Sequence, residues 1–237
     1  TIGATKHKFG FGARYHYDQI RRFQFNEDFT QDASGAIISR SDGAPGSAGN
    51  RRQKTTALAL NLEDEIKFGK WTVKPGVRYE HLWQRFQQFA PTSEADRKRN
   101  YGVVTGGSNA SYKLNERQDV FGGVFRGVST PDPSGATKTG TEQVQEETSI
   151  GYEFGTRYNL PSKGLYVELI GFWTDFDDLV VSAITGASGA LEGETSNLGE
   201  VRSRGIEFQV QYDPSVTRGW SFQNPWYFNL TYTNAEF

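Results

Sequence analysis

The feature that most constrains this chain is a side-chain alternation of period two, sustained over unusually long runs. In the stretch from Gly205 to Tyr212, Ile206, Phe208, Val210 and Tyr212 fall on one face, and Gly205, Glu207, Gln209 and Gln211 fall on the other. Only a β-strand sorts side chains this way. The pattern recurs. Phe9, Phe11, Tyr15 and Tyr17 oppose Lys8, Arg14, His16 and Asp18. Leu58, Leu60, Leu62, Ile66 and Phe68 oppose Asn61, Glu63 and Glu65. Trp71, Val73, Val77, Tyr79 and Trp83 oppose Lys74, Arg78 and Glu80. Ile150, Phe154 and Tyr158 oppose Glu153 and Arg157. Leu165, Val167, Leu169 and Trp173 oppose Glu168, and Trp226, Phe228, Leu230 and Tyr232 oppose Asn229, Thr231 and Thr233. A soluble sandwich would turn such apolar faces toward a core. A membrane barrel would turn them toward lipid and line a wet lumen with the polar faces.

Connection lengths choose between these two. Nine strands are predicted, near 4–20, 52–68, 71–87, 101–114, 119–128, 146–159, 164–180, 202–212 and 226–236. The fourth and fifth alternate only weakly. Connections after the first, third, fifth and seventh strands are long and polar, and the first is read as a loop throughout. Those after the second, fourth and sixth are short, beginning with the turn at Gly69 and Lys70; the eighth is followed by about a dozen residues. Several predicted strands run about 12–17 residues, against about 5–6 for a usual soluble strand. A membrane-crossing strand needs about 9–11 in the hydrocarbon. Alternating short turns and long loops are the pattern of an outer-membrane barrel.

Aromatics make up 14% of the 237 residues. They cluster at strand ends, with Phe68, Trp71 and Trp226 near the short turns and Tyr17, Trp83 and Trp173 near the long loops, as two interfacial girdles would require. No run of 18 apolar residues exists, so no transmembrane helix can be drawn. A formal charge of −2 gives no reason to expect nucleic acid. There is no cysteine, hence no disulfide or thiolate site, and no methionine, so a chain beginning at Thr1 reads as processed or partial. Nine is an odd strand count, and an open sheet would strand backbone polar groups in lipid. The fold expected is therefore all-β: an antiparallel transmembrane β-barrel segment, an internal slice of a larger closed barrel.

The segments HKFGFGARYHYDQIRRF, LEDEIKFGKWTVKPGVRYEHL, ETSIGYEFGTRYNL, NLGEVRSRGIEFQVQYD and YFNLTYTNAEF carry a family resemblance. The chain resembles the TonB-dependent outer-membrane receptors of Gram-negative bacteria, and within them the ferric-citrate-receptor-like branch. The resemblance implies a 22-stranded barrel of which residues 1–237 are part, the plug domain and closing strands lying outside the sequence. It implies active, TonB-driven uptake of a ferric chelate, such as ferric citrate or another siderophore, with no covalent chemistry and no cofactor. The implied partners are the chelate, the receptor's own plug, the TonB complex, and outer-membrane lipid and lipopolysaccharide. A passive porin or, less naturally, a soluble secreted β-domain are the alternatives.

A ferric citrate complex is anionic, and the planar fork of Arg suits carboxylates. The resemblance points to arginines at the outer ends of the strands flanking the first long loop. Arg22 and Arg52 match those positions, with Arg21 and Arg51 as neighbouring alternatives. Ala95 to Arg99 reads as a solvated run facing lipopolysaccharide. His7, His16 and His81 lack metal-ligand spacing. Asp175 to Asp178 lacks an EF-hand frame and reads as an outer strand end. Glu63 and Glu65 sit about 7 Å apart on one face, where contact with the plug is a better reading than acid–base catalysis. No catalytic and no metal-binding residue is expected.

Overall fold

The computed structural model describes residues 5–140, 143–182, 195–197 and 199–237. Nine long strands form one sheet: β1 (Lys6–Gln24), β4 (Gly49–Phe68), β5 (Trp71–Ala90), β6 (Arg97–Lys113), β7 (Gln118–Ser129), β8 (Glu147–Leu160), β9 (Leu165–Asp177), β12 (Val201–Tyr212) and β13 (Trp226–Glu236). They lie in that order, every neighbour antiparallel. This is the nine-strand, all-β arrangement that the alternation predicts. Two short hairpins stand outside it, β2 (Glu27–Gln31) with β3 (Ile37–Asp42), and β10 (Val180–Ser182) with β11 (Thr195–Asn197). Much of the long connection predicted after the seventh strand lies outside the described residues.

The long connection after β1 is thus not a loop throughout. Asp32 builds the β2–β3 turn by accepting hydrogen bonds from the Ser34 and Ala36 amides and the Ser34 hydroxyl. This is the Asx-turn chemistry that short polar side chains favour. These contacts hold its carboxyl below the usual carboxylate range, the Ser34 hydroxyl contributing most. At the opposite end, Gly69 takes φ = 58° in the two-residue turn between β4 and β5, a conformation costly for other residues.

Register carries the two-faced pattern through the sheet. Phe11 pairs with Leu62, Leu62 with Val77, and Leu60 with both Ala13 and Tyr79. On the far side Leu169, Phe208 and Leu230 form one row. Directly opposed residues share a face, so the apolar positions merge into one continuous outward surface. Phe11 is 76% exposed and Tyr232 66%. In a water-soluble domain so large an apolar surface would be a liability. Arg126 also lies on this face and donates to the Val104 carbonyl. Two aromatic bands bound the surface: Trp71 against Tyr112 at 4.9 Å near the short turns, and Tyr17 and Trp83 in one row near the long loops.

The other face is polar but holds a small buried cluster. The segment between β7 and β8 turns inward and lays α1 (Pro133–Ala136) against β4 and β5. Ala57, Ala59, Leu82, Phe86, Ala136 and Val144 are buried there. Gln84 Nε2 donates to the Pro131 carbonyl at 2.9 Å, and Arg99 Nη1 to the Val144 carbonyl at 3.1 Å. Asp132 caps α1 by accepting from the Gly135 amide at 2.9 Å. The bonds to Gln84 and Arg99 replace water around backbone carbonyls that the inward turn takes out of solvent.

Candidate functional site

The polar face is a wall of matched charges in its lower half. Glu65 accepts from Lys67 at 2.6 Å and Lys74 at 2.8 Å. Arg78 pairs with Glu80 at 2.7 Å, and Arg157 with Glu168 at 2.9 Å. Glu153 accepts from Asn109 at 3.1 Å. Two lysines neutralise Glu65, so it does not stand with Glu63 as a free acid–base pair. Among the described residues no three His, Asp or Glu side chains are grouped to hold a metal. Each histidine has a local partner: His7 meets Asp64 at 2.6 Å, His16 meets Arg14 at 3.3 Å, and His81 meets Tyr79 at 3.2 Å.

The outer end of the same face is different. Strand register sets Arg22 directly opposite Arg51, both on the polar face. Arg22 Nε donates to Gln24 Oε1 at 2.6 Å. Neither arginine forms an ion pair with a described residue. Like charges directly across a strand pair repel, and an anion between them removes that cost. Arg21 is set opposite Arg52, one residue along, and this pair lies on the outward face. Arg52 sits over the Phe89 ring at 5.9 Å. The four arginines singled out in the sequence are thus brought together at one strand end and divided between two faces. Arg22 and Arg52, taken as a pair, point to opposite sides.

The run Ala95 to Arg99 is divided in the same way. β6 begins at Arg97, and Lys98 is on the outward face opposite Arg85, its side chain 65% exposed. Arg97 lies over the Phe86 ring at 4.4 Å and Arg99 over Tyr101 at 4.2 Å, both on the polar face. Arg99 pairs with Glu146 at 2.9 Å, its side chain only 15% exposed. Sequence reasoning missed the inward segment, Gln84 and Arg99 as neighbours of the Arg22–Arg51 region. Gln53 and Phe86 are direct partners in register, two residues below Arg51. Gln53 is buried beside the segment, and its Nε2 has no hydrogen-bond partner among the described residues. A concavity of about 810 Å³ lies elsewhere, mainly on the outward face around Gly171, Phe154 and Ile206, and is no part of this chamber.

A wall with one lipid-type face, two aromatic girdles and one charged face is a sector of an outer-membrane β-barrel. Residues 1–237 match the TonB dependent receptor-like β-barrel model, and the chain belongs to that family. The metal-pseudopaline receptor CntO of Pseudomonas aeruginosa is 24% identical over 220 residues, covering 87% of this chain and 30% of that protein. The unliganded ferric citrate transporter FecA superposes with a TM-score of 0.73 at 24% identity, over 100% of this chain and 33% of that one. The ferric-catecholate import receptor Fiu from E. coli K12 gives 0.66 at 13% identity, over 96% of this chain and 35% of that one. The chain spans about a third of the length of these relatives. Receptors of this family sit in the outer membrane of Gram-negative bacteria and are transporters rather than enzymes. The outward face of this sheet therefore meets lipid, and the charged face lines the lumen.

Proposed function

We propose that the protein containing this chain takes up an anionic metal chelate, with ferric citrate or a carboxylate siderophore as the best-fitting class. The observation that carries this reading is the Arg22–Arg51 pair, directly opposed on the lumenal face at the outer mouth and without carboxylate partners among the described residues. Carboxylate oxygens of the chelate accept from both guanidinium forks, and the complex's negative charge relieves their mutual repulsion. The inward segment and Arg99 bound the same side of the mouth. The names of the ferric citrate transporter and the metal-pseudopaline receptor agree in chelate chemistry while differing in ligand. In this reading uptake is active. A plug within the complete barrel blocks the lumen, the matched charges lower on the wall face it, and TonB supplies the force that shifts it.

The test uses the full-length receptor. Arg22→Ala and Arg51→Ala each weaken ferric citrate binding by about 10-fold or more, the loss expected for a charged hydrogen bond worth about 1.5–3 kcal/mol. Arg21→Ala and Arg52→Ala, on the outward face, have smaller effects. Unchanged affinity in both lumenal variants removes the ligand assignment. Uptake that persists in cells lacking TonB removes the active-transport reading in favour of a porin.

A further inference from the structure

Between β7 and β8 the chain leaves the rim and folds onto the lumenal wall, where residues 130–140 and 143–146 form a shelf. The shelf is bonded within itself. The Val144 amide donates to the Gly135 carbonyl at 3.2 Å, Gln143 Nε2 to the Ala136 carbonyl at 3.2 Å, and the Thr137 hydroxyl to the Pro133 carbonyl at 2.6 Å. The wall is shaped to receive it. Ala57 and Ala59, lumenal residues of β4, are both buried, and their small side chains let α1 come close. Two sides hold the shelf in place. On one, Gln84 and Arg99 bond the Pro131 and Val144 carbonyls, and Arg99 Nη2 donates to Gln145 Oε1 at 3.1 Å. On the other, Asn197 of β11 forms a three-bond clamp. Its Oδ1 accepts from the Gln145 amide at 2.8 Å, and its Nδ2 donates to the Gln145 carbonyl at 3.2 Å and the Asp178 carbonyl at 2.7 Å.

The height of the shelf on the wall gives it a role. Read inward from the rim, the lumenal residues of β4 are Arg51, Gln53, Thr55, Ala57 and Ala59. Gln53 and its partner Phe86 are both buried, so the cover begins at their level. Arg51 is one lumenal position further out and only half-buried, and Arg22 opposite it is exposed. Two residues along a strand span about 7 Å, which is the distance from the arginine pair to the covered level. Deeper on the wall come Arg78 and Glu65, each in an ion pair. On this side of the lumen the shelf therefore stands between the arginine pair and the matched charges.

We propose that this shelf is the floor of the chelate site on the β4–β5 side and sets its size limit, admitting a compact carboxylate chelate and excluding one whose arms reach inward. The inference rests on the reading of Arg22 and Arg51 as the chelate's anchors. A chelate held by both guanidinium groups has a depth of about 7 Å before it meets the shelf. A small carboxylate complex fits in that depth. A chelate with long arms must turn them outward or displace the shelf, and the buried contacts of Ala136 and Val144 together with the bonds to Gln84, Arg99 and Asn197 resist displacement. Selection of this kind works by a clash against the wrong ligand rather than by an added attraction to the right one. Gln84 and Asn197 are then positioning residues, acting on the chelate through the shelf they hold.

The experiment measures equilibrium binding of two ferric chelates to the full-length receptor: ferric citrate, and ferric aerobactin, which carries two long hydroxamate arms on a citrate core. Wild type is compared with a variant whose residues 133–143 are replaced by Gly-Ser-Gly, with Asn197→Ala, and with Arg22→Ala. Wild type prefers ferric citrate. Replacing the shelf weakens ferric citrate about tenfold and strengthens ferric aerobactin about tenfold, so the preference shifts about 100-fold. Asn197→Ala shifts it in the same direction by about tenfold. Arg22→Ala weakens both chelates alike, because both are anions bearing carboxylates. A preference that shelf replacement leaves unchanged, including equal losses for the two chelates, overturns the proposal, and the Arg22→Ala result then judges the arginine pair separately. A shifted preference with an unaffected Arg22→Ala keeps the shelf as the size limit and removes the arginine as an anchor. Binding of neither chelate by wild type removes both. Heat-dependent gel mobility verifies that each barrel is folded; if the shelf replacement fails to fold, Asn197→Ala is read by the same criteria.

Discussion

Moving a charge by one residue along β12 tests which face of the sheet meets lipid. Phe208 lies in a row with Leu169 and Leu230, and its ring meets Phe228 edge-on at 6.2 Å. It is four residues from Tyr212, which pairs with Trp226 at the lower girdle, and four from Arg204, which pairs with Trp173 at the upper one. Phe208 is therefore close to the bilayer midplane. Gln209, its neighbour, faces the lumen opposite Glu168 and Asn229. An arginine on the lipid face at the midplane costs about 2–4 kcal/mol, falling to about 0–1 near the interfaces. Phe208→Arg should thus lower the folding equilibrium constant by roughly 30- to 900-fold. Gln209→Arg places the same group in water beside the Glu168 carboxylate, and its cost should be under about 1 kcal/mol. The assay is reversible denaturant unfolding of the full-length receptor in phospholipid vesicles. Equal costs, or a larger cost for Gln209→Arg, would refute the face assignment and with it the lumenal position of the Arg22–Arg51 pair.

Two further outcomes follow from local contacts. Phe86 is 2% exposed beneath α1 and Val144, so Phe86→Ala leaves a cavity worth about 3–5 kcal/mol; limited proteolysis should then cut residues 130–146 much faster in the variant, while the strands stay protected. Asp213, in the connection between β12 and β13, accepts from the Ser215 hydroxyl at 2.6 Å and the Ser215 amide at 2.9 Å, which holds its carboxyl below the usual range. A depressed carboxylate contributes stability above its unfolded pKa of about 4 and loses it as pH falls through the lower folded value. Hydrogen-exchange protection of the Ser215 amide should therefore drop in acid below about pH 4, and Asp213→Asn should abolish that pH step; a step unchanged in the variant would assign it to another group.

Much of this architecture was legible because strand period and connection length are local properties. Every predicted strand appears in the sheet, with ends shifted by a few residues. The weak alternation of β7 has a physical origin in the structure. Phe121 and Phe125 point into the lumen, where their rings cover Gly155 and Gly151 on the facing strand, so a Cβ at Gly151 would lie 2.2 Å from the Phe125 ring. Phe172 covers Gly205 in the same manner. Aromatic rings laid over cross-strand glycines are a known way to support a sheet where side chains are missing. They put apolar residues on the wet face, and a rule that reads apolar as lipid-facing loses its contrast there. The inward segment was not legible for a different reason. Its contacts, such as Gln84 with Pro131, join residues 47 positions apart and leave no periodic trace.

The arginines show how little separates a lumenal pair from a lipid-facing one. A strand's side chains alternate, so a shift of one residue exchanges the faces completely. Sequence matching brought Arg21, Arg22, Arg51 and Arg52 to one end of β1 and β4 and put Arg22 and Arg52 first, but it could not sort the four by face. Register does, by opposing Arg22 to Arg51 and Arg21 to Arg52. Paired cysteines test this directly, since the protein has no cysteine of its own. Opposed residues in an antiparallel pair have Cα atoms about 4.5–5.5 Å apart, within the range of about 4.4–6.8 Å that a disulfide spans. Arg22→Cys with Arg51→Cys should oxidise to a crosslink in the folded full-length receptor, and Arg21→Cys with Arg52→Cys should do the same. Arg22→Cys with Arg52→Cys should not, because the two thiols lie on opposite sides of the sheet. The water-soluble, membrane-impermeant charged oxidant copper phenanthroline disulfonate should also favour the lumenal pair over the outward pair near lipid. Efficient crosslinking of Arg22→Cys to Arg52→Cys would mean that the strands are paired one residue out of step, and the pair proposed to bind the chelate would then be a different one.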